Sequence, residues 1–230
     1  MIGGWRASPY HPHVHGPPLP ILGLGAGGHA KSIVEAISSR GEFQVAAMVD
    51  EDPGRAGTDF FGIPVEGPDG LARARAAGVI HAFAGIGGVE SSAARRRAFA
   101  RLRAEGFELP PVIHATAVVS TRARIGPGCH ILAGAVVNAD TELGENTIVN
   151  TSAVVEHDCR IGRDVHIGPG ALIAGEVRIG EGSLVGIGGV VIQRIAIGAG
   201  ALVAAGAVVV EDVPDGARVA GVPARRLAEP

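Results

Sequence analysis

A six-residue hydrophobic repeat runs through the second half of the chain. Every sixth residue from Ile113 to Val209 is isoleucine, valine or leucine, without one exception. Four residues after each of these the chain has a small or β-branched residue, with Gly189 and Ile195 as the weakest fits. A short fixed period predicts a solenoid, in which each repeat buries its apolar residues against its neighbours.

The hexads predict a parallel β-helix over residues 110–214. Three hexads close one triangular coil, so each residue stacks on the residue three hexads earlier. At about 4.8 Å per coil the prism is about 27 Å tall. No hexad is lengthened by an insertion, so any active site has to lie on a bare face of the prism. A neighbouring subunit is the simplest way to wall such a shallow site.

The segment before the hexads, residues 19–109, alternates between strand and helix patterns. Short apolar runs predict three strands, over Pro20–Leu24, Gln44–Asp50 and His81–Ile86. Helical spacing predicts helices from His29 to about Ser39 and from Glu90 to about Glu105. This pattern is typical of a small βαβ domain with a parallel sheet. The arginines of the second helix are expected to form a solvated face, unless one of them meets a phosphate.

The two ends of the chain carry less pattern. Residues 1–18 are rich in proline, glycine and histidine, which predicts a disordered leader rather than a metal site on His11, His13 and His15. Residues 215–230 form a tail. No signal peptide or run long enough to span a membrane is visible, so a cytoplasmic protein is expected.

Composition excludes several classes of protein. The net charge of -3 and the pI near 6.3 argue against a nucleic-acid or polybasic membrane surface. Two cysteines cannot build a disulfide framework. Both Cys129 and Cys159 fall on the small inward position of the hexad, where a free cysteine acts as core filler.

Polar residues at outward hexad positions can carry chemistry, and they concentrate between Asn150 and Cys159. Stacking puts His157 between Ala139 and Gly175, two small residues that leave open space beside the imidazole. Carboxylates near an imidazole bias it towards acting as a base.

Asp158 directly follows His157, and stacking sets it over Asp140, where repulsion would raise one carboxyl pKa. These neighbours bias His157 towards acting as a base, with a plain surface histidine as the alternative, and Asp158 could be only a capping carboxylate. His166 is the other unusual histidine.

The chain lacks the Ser-His-Asp order, the Gly-x-Ser-x-Gly elbow and the Walker loop. A direct transfer with one base is the simplest chemistry for the His157 cluster. An amine attacks a thioester carbonyl, and the imidazole takes the ammonium proton. Backbone N–H groups at the coil corners could hold the oxyanion.

A glycine-rich loop precedes the first predicted helix. The run from Gly23 to Gly28 satisfies Gly-x-Gly-x-x-Gly after a strand, and Asp50 ends the next strand, where a ribose-binding acid would lie. The domain is too short for a full dinucleotide fold, so one nucleotide phosphate at the helix N-terminus fits better. His29 follows the loop and faces what binds there, unless it is a helix-capping or surface histidine.

Three motifs together resemble one family. They are Gly25-Ala26-Gly27-Gly28-His29-Ala30-Lys31, Glu156-His157-Asp158-Cys159 and Gly221-Val222-Pro223-Ala224-Arg225. In this order they resemble the bacterial nucleotide-sugar N-acetyltransferases of the hexapeptide-repeat superfamily, of the UDP-4-amino-sugar and GDP-perosamine types. The resemblance implies a Rossmann-like α/β half domain, then a left-handed parallel β-helix, in a homotrimer with acetyl-CoA between subunits.

The resemblance also implies site residues. His157 and Asp158 would be catalytic. The nucleotide sugar would be held by the N-terminal domain, through Gly25, Gly27, Gly28, His29, Asp50 and Glu51. Acetyl-CoA would be held by Asn150, His166, Gly175, Gly206 and Arg225. No metal is expected, and the tail would contribute to the CoA site.

The expected reaction is acetyl transfer from acetyl-CoA to the 4-amino group of a nucleotide-linked 4-amino-4,6-dideoxy sugar. Three alternatives stay open at this point. One is O-acetylation of a sialic-acid-type sugar on the same fold. A second is a β-helix carbonic anhydrase, although His114, His130, His157 and His166 show no tight zinc-ligand pair. The third is a nucleotide-sensing scaffold without enzymatic activity.

Overall fold

The structure is a computed structural model that describes residues 16–88 and 92–227. The histidines of the predicted leader, the last three residues of the tail and the predicted helix start at Glu90 lie outside the described residues.

The N-terminal domain is built on a five-stranded sheet in the order β3-β4-β2-β1-β5. Its elements are β1 (Leu19–Leu24), α1 (Gly28–Arg40), β2 (Phe43–Val49), β3 (Asp59–Phe60), β4 (Ile63–Glu66), α2 (Gly70–Ala76), β5 (His81–Ala84) and α3 (Ala93–Ala104). β1 pairs in parallel with β2 and β5, whereas β3 runs antiparallel to β4.

The three predicted strands and two predicted helices are confirmed, with ends that shift by a few residues. The β3–β4 pair and α2 were not predicted, because these elements are short and interrupted by glycine and proline. The core of the domain follows the predicted helical face. Ile33, Val34 and Ile37 of α1 are buried against the sheet, and Gly41 ends the helix in the left-handed conformation.

The hexads form a parallel β-helix, in which strands of two residues recur every six residues. Val136 pairs in parallel with Val118 on one side and Val154 on the other, as the predicted stacking requires. The strands lie on three sheets, which are the faces of a triangular prism.

The N-terminal domain covers one face, the docked face, and the other two are distinguished by their aliphatic or charged outward residues. The docked face carries β6 (Val112–Ile113), β9 (His130–Ile131), β12 (Ile148–Val149), β15 (His166–Ile167), β18 (Leu184–Val185), β21 (Leu202–Val203), β23 (Arg218–Ala220) and β24 (Arg225–Arg226). The aliphatic face carries β7 (Val118–Val119), β10 (Val136–Val137), β13 (Val154–Val155), β16 (Leu172–Ile173), β19 (Val190–Val191) and β22 (Val208–Val209). The charged face carries β8 (Arg124–Ile125), β11 (Glu142–Leu143), β14 (Arg160–Ile161), β17 (Arg178–Ile179) and β20 (Ala196–Ile197).

From β6 to β22, the second residue of each strand points into the prism and joins one continuous core. Cys129 and Cys159 lie in this core as free thiols, as predicted. Coils pass close together at the corners. A Cβ on Gly126 would lie 2.8 Å from the backbone nitrogen of Glu145 on the next coil, so this corner requires glycine.

The N-terminal domain packs on the docked face. Val112 and Leu132 of the β-helix share a buried cluster with Ile33 and Phe83 of the N-terminal domain. The N-terminal domain and its glycine-rich loop therefore lie on one side of the prism. The corner between the aliphatic and charged faces lies on the opposite side.

Candidate active site

His157 lies at the corner between the aliphatic and charged faces, just after β13. Its side chain is 56% exposed, and its Nδ1 atom is 2.8 Å from Oδ2 of Asp158. Asp158 has φ of 60°, a left-handed conformation that the corner imposes and that aspartate tolerates. This turn in the backbone brings the carboxylate back to the ring of the preceding residue.

The hydrogen bond that His157 donates to Asp158 raises the pKa of His157. The charges of Asp158, Glu156 and Glu176 add to the effect, while partial desolvation opposes it. Nδ1–H donates to the carboxylate, which leaves the Nε2 lone pair to face outward. An imidazole held in this tautomer can accept a proton at Nε2. The pair therefore has the arrangement of a general base and the acid that orients it.

Gly175 provides the seat for this imidazole. A Cβ on Gly175 would lie 2.7 Å from Cε1 and 2.8 Å from Nε2 of His157. The ring therefore rests against the bare backbone of the next coil, in the space that the sequence predicts.

The neighbouring acids do not crowd the pair. Asp140 stacks under Asp158 as predicted, but its carboxylate accepts hydrogen bonds from Nε of Arg122 at 3.1 and 3.2 Å. Glu156 accepts one from Nδ2 of Asn138 at 2.9 Å. Because each acid has a partner of its own, the expected repulsion between Asp140 and Asp158 is relieved.

A second candidate site is a cavity of about 680 Å³ in the N-terminal domain. Its walls include the glycine-rich loop with the start of α1, the loop after β2 and helix α3. The polar and glycine residues that line it include Gly25, Gly27, Gly28, His29, Asp50, Glu51, Arg55, Arg97 and Arg101. A Cβ on Gly27 or Gly28 would meet nothing within 4 Å, so the N-terminus of α1 is accessible from the cavity. Such a helix end favours an anion.

The acids of this cavity hold its shape. Asp50 accepts a hydrogen bond from the backbone of Ala26 at 2.8 Å, which ties the glycine-rich loop to the end of β2. Glu51 pairs with Arg101 at 2.6 Å. The sequence predicted that the α3 arginines form a solvated face, and this prediction is only partly right. They line the cavity or, as Arg103 does with Glu145, join the domain to the β-helix.

Three more predicted residues meet where the N-terminal domain packs on the docked face. His166 donates from Nδ1 to the carbonyl of Gly88 at 2.9 Å and accepts at Nε2 from Nδ2 of Asn150 at 3.1 Å. The His29 ring lies 6.4 Å from the His166 ring. Burial, with the nearby charges of His166 and Arg95, lowers the pKa of His29 to about 4.

The predicted residues therefore form two groups in one chain. His157, Asp158 and Gly175 share the corner between the aliphatic and charged faces. His29, Asn150, His166 and the cavity belong to the docked face and its edge. Since that face is opposite the His157 corner, one chain does not bring the two groups together.

Two other predicted residues lie near the docked face. Gly206 is at the corner between the docked and aliphatic faces, with φ of 66°. Arg225 begins β24, and its guanidinium is 3.9 Å from Glu211. Buried Arg95 and His130 were not singled out from the sequence, since Arg95 stands in a run of arginines and His130 occupies an outward hexad position.

A glycine-loop domain joined to a hexad β-helix with an imidazole–carboxylate corner defines the class of hexapeptide-repeat transferases. Residues 21–102 match the family model of the PglD N-terminal domain, and residues 140–175 match that of the bacterial transferase hexapeptide.

Solved structures extend the likeness to nearly the whole chain. GDP-perosamine N-acetyltransferase from Caulobacter crescentus, in a variant with one histidine replaced by alanine and in complex with CoA and GDP-perosamine, is 41% identical. The match covers 91% of this chain and 97% of that chain, with a TM-score of 0.86. The acetyltransferase domain of PglB from Neisseria gonorrhoeae, in complex with acetyl coenzyme A, is 38% identical over 91% and 100% of the two chains, with a TM-score of 0.83.

The chain belongs to this family of hexapeptide-repeat nucleotide-sugar N-acetyltransferases, and it is an acyltransferase. The predicted family and the predicted fold, a Rossmann-like α/β domain followed by a left-handed parallel β-helix, are confirmed. The CoA and acetyl-CoA held by the two solved structures agree with the predicted co-substrate.

One curated relative matches a shorter stretch. The redox-sensing transcriptional repressor Rex from Streptomyces coelicolor is 46% identical over 54 residues, which are 24% of this chain. The chain spans about a fifth of the length of that relative, 20%.

Within 16–88 and 92–227, no group of three or more histidine, cysteine, aspartate or glutamate side chains could hold a metal ion. No helix in the same two segments is long and apolar enough to cross a bilayer.

Proposed function

We propose that the protein transfers the acetyl group of acetyl-CoA to the 4-amino group of a nucleotide-linked 4-amino-4,6-dideoxy sugar. The observation that carries the proposal is the His157–Asp158 pair seated on Gly175 at an exposed corner of the prism. Family membership supports the two substrates, because a related acetyltransferase is solved with CoA and GDP-perosamine.

In the proposed reaction the sugar amine attacks the thioester carbonyl, and Nε2 of His157 takes the proton that the nitrogen loses. Asp158 holds Nδ1–H and stabilises the imidazolium. The backbone N–H of Gly175 is the proposed donor to the carbonyl oxygen as it gains negative charge. The tetrahedral intermediate then expels the CoA thiolate, which takes the proton from His157. The products are an N-acetyl sugar and free CoA.

The nucleotide of the acceptor is assigned to the cavity of the N-terminal domain. Gly25, Gly27 and Gly28 would let the diphosphate approach the N-terminus of α1. Arg101, now paired with Glu51, could exchange that partner for a phosphate. Asp50 would act through the loop it holds, since its carboxylate already bonds the backbone of Ala26.

The proposal includes a homotrimer, and the aliphatic face supports it. The outward residues of its strands are all valine or leucine, and Val118 and Leu172 remain 61% and 46% exposed. An exposed apolar surface of this kind marks a protein interface. Copies arranged head to tail around a threefold axis bury this face and close into a ring.

In such a ring the His157 corner of one copy can approach the docked face of the next. This would unite the two groups of site residues that one chain keeps apart. Acetyl-CoA would then lie between subunits, with Asn150, His166, Gly206 and Arg225 on one wall and Gly175 on the other.

The proposal is tested by incubating the protein with acetyl-CoA and a panel of UDP-, GDP- and dTDP-linked 4-amino sugars, read by mass spectrometry. We expect one of these acceptors to gain an acetyl group and His157→Asn to lower the turnover about 10²–10⁴-fold. Sialic acids in the same panel test hydroxyl acceptors. Acetylation of a hydroxyl alone, or unchanged turnover in His157→Asn, would contradict the proposal.

A further inference from the structure

Arg95 is a charged residue buried between the two halves of the protein. It belongs to α3, and it is 1% exposed. Its guanidinium donates three hydrogen bonds to backbone carbonyls. Nε reaches Gly87 at 3.4 Å in its own domain, Nη2 reaches Asp164 at 2.9 Å in the β-helix, and Nη1 reaches Asn146 there.

This arrangement is not needed for docking alone. A buried charge loses its hydration, and replacing such a group by an apolar side chain of similar volume often leaves stability unchanged or improves it. Burial lowers the pKa of Arg95 to about 10, so the group is still charged at neutral pH. What a guanidinium adds is a rigid planar fork, which fixes direction as well as distance between its acceptors.

Three histidines lie beside this charge. The His29 ring is 5.7 Å from the His130 ring and 6.4 Å from the His166 ring. Nε2 of His29 and both ring nitrogens of His130 are buried and have no hydrogen-bond partner in the described part of the chain. Burial and the charge of Arg95 both lower the pKa of His29, His130 and His166.

Asp164 and Cys129 also face the cluster. The carboxylate of Asp164 accepts one hydrogen bond from Nδ2 of Asn146 at 2.6 Å and lies 3.3 Å from Nε of Arg96. The Cys129 thiol is fully buried, and burial raises its pKa to about 12. Neutral His166 can accept at Nε2 from Asn150, whereas a protonated ring could not.

We propose that Arg95 is a positioning residue, which fixes the N-terminal domain on the β-helix at one spacing. The consequence for turnover rests on the proposed function, because acetyl transfer requires the bound sugar to reach a base on another copy at a set distance. The consequence for the histidines depends on the domain junction alone.

The test uses the full chain with Arg95→Met, which removes the charge and the fork, and Arg95→Lys, which keeps the charge without the fork. Arg96→Met is the matched control, since Arg96 contacts the same Asp164 from the exposed side of the same helix. Turnover, affinity for GDP or UDP alone by calorimetry, and histidine titration by NMR are measured for each folded variant.

We expect kcat to fall about 10- to 100-fold in Arg95→Met and in Arg95→Lys, because small displacements of a bound substrate cost factors of this size. Affinity for GDP or UDP should stay within about twofold, since Arg95 does not line the cavity. The pKa of His29 and His166 should rise in Arg95→Met and stay low in Arg95→Lys. Arg96→Met should match the wild type in all three measurements.

The proposal is overturned if both Arg95 variants fold and keep wild-type kcat, or if the histidines of Arg95→Met titrate as they do in the wild type. If Arg95→Met does not fold, Arg95→Lys still decides the question through kcat. Failure of the proposed function would look different. The wild type would then transfer no acetyl group, and the histidine titrations would still report on Arg95.

Discussion

Gly175→Ala tests how the proposed catalytic imidazole is positioned, without replacing the histidine itself. The new Cβ would lie 2.7 and 2.8 Å from two ring atoms of His157, whereas carbon atoms in contact lie at about 3.5 Å or more. The ring therefore has to move by roughly 0.8 Å or rotate away from Asp158. We expect kcat for acetyl transfer to fall about 10- to 100-fold, because the reacting atoms lose their alignment.

The assay is steady-state release of CoA thiol, with thermal unfolding measured in parallel. Gly175 does not have a positive φ, so alanine fits its backbone, and stability should change little. The control is Gly200→Asn. Gly200 is at another corner, where a Cβ meets nothing within 4 Å and where the left-handed conformation suits asparagine. Wild-type kcat in Gly175→Ala would refute the placement of the base on this residue.

Three further predictions concern the base, the domain junction and the oligomer. Asp158 raises the pKa of His157, and the base works when it is neutral. Asp158→Asn should therefore shift the acidic limb of the kcat/KM profile to lower pH and lower the plateau value of kcat/KM by up to about 10⁴-fold. An acidic limb that does not move would contradict the role of Asp158. Burial lowers the pKa of His29 from its ordinary 6.5 to about 4. The stability that neutral His29 gives to the packed N-terminal domain is therefore fully present above pH 6.5. It falls by roughly 3 kcal/mol as the pH drops towards 4. X-ray scattering should show the N-terminal domain separating from the β-helix in this window, and an unchanged radius of gyration down to pH 4 would contradict it. Leu172→Glu on the aliphatic face should dissociate the proposed trimer in analytical ultracentrifugation and abolish turnover, whereas Arg178→Glu on the charged face should do neither.

The β-helix could be predicted from the sequence because a two-residue strand on every sixth residue leaves one way to bury the aliphatic positions. Ile113 to Val209 fix the coil, and the coil fixes which residues stack. The seat of His157 on Gly175 follows from that stacking alone. The side on which the N-terminal domain packs does not, because the six-residue period is the same on all three faces.

The contacts between side chains of the N-terminal domain and the β-helix could not be predicted from the sequence either. Arg95 and His130 look like an outward arginine and an outward histidine until the two domains cover them. The β3–β4 pair escaped prediction for a local reason, since two strands of two and four residues carry too little periodicity. Asp50 was predicted to face a ribose, and its bond to Ala26 depends on a loop conformation that no spacing encodes.

Mixed oligomers test most directly whether the nucleotide cavity of one copy works with His157 of another. His157→Ala removes the base, and Gly28→Asp puts a carboxylate where the diphosphate would bind, in space that is open. Each variant alone should be inactive. Co-assembled in equal amounts, they should recover about a quarter of wild-type turnover, because each site draws its two halves from different copies. A mixture as inactive as its two components would contradict the shared site.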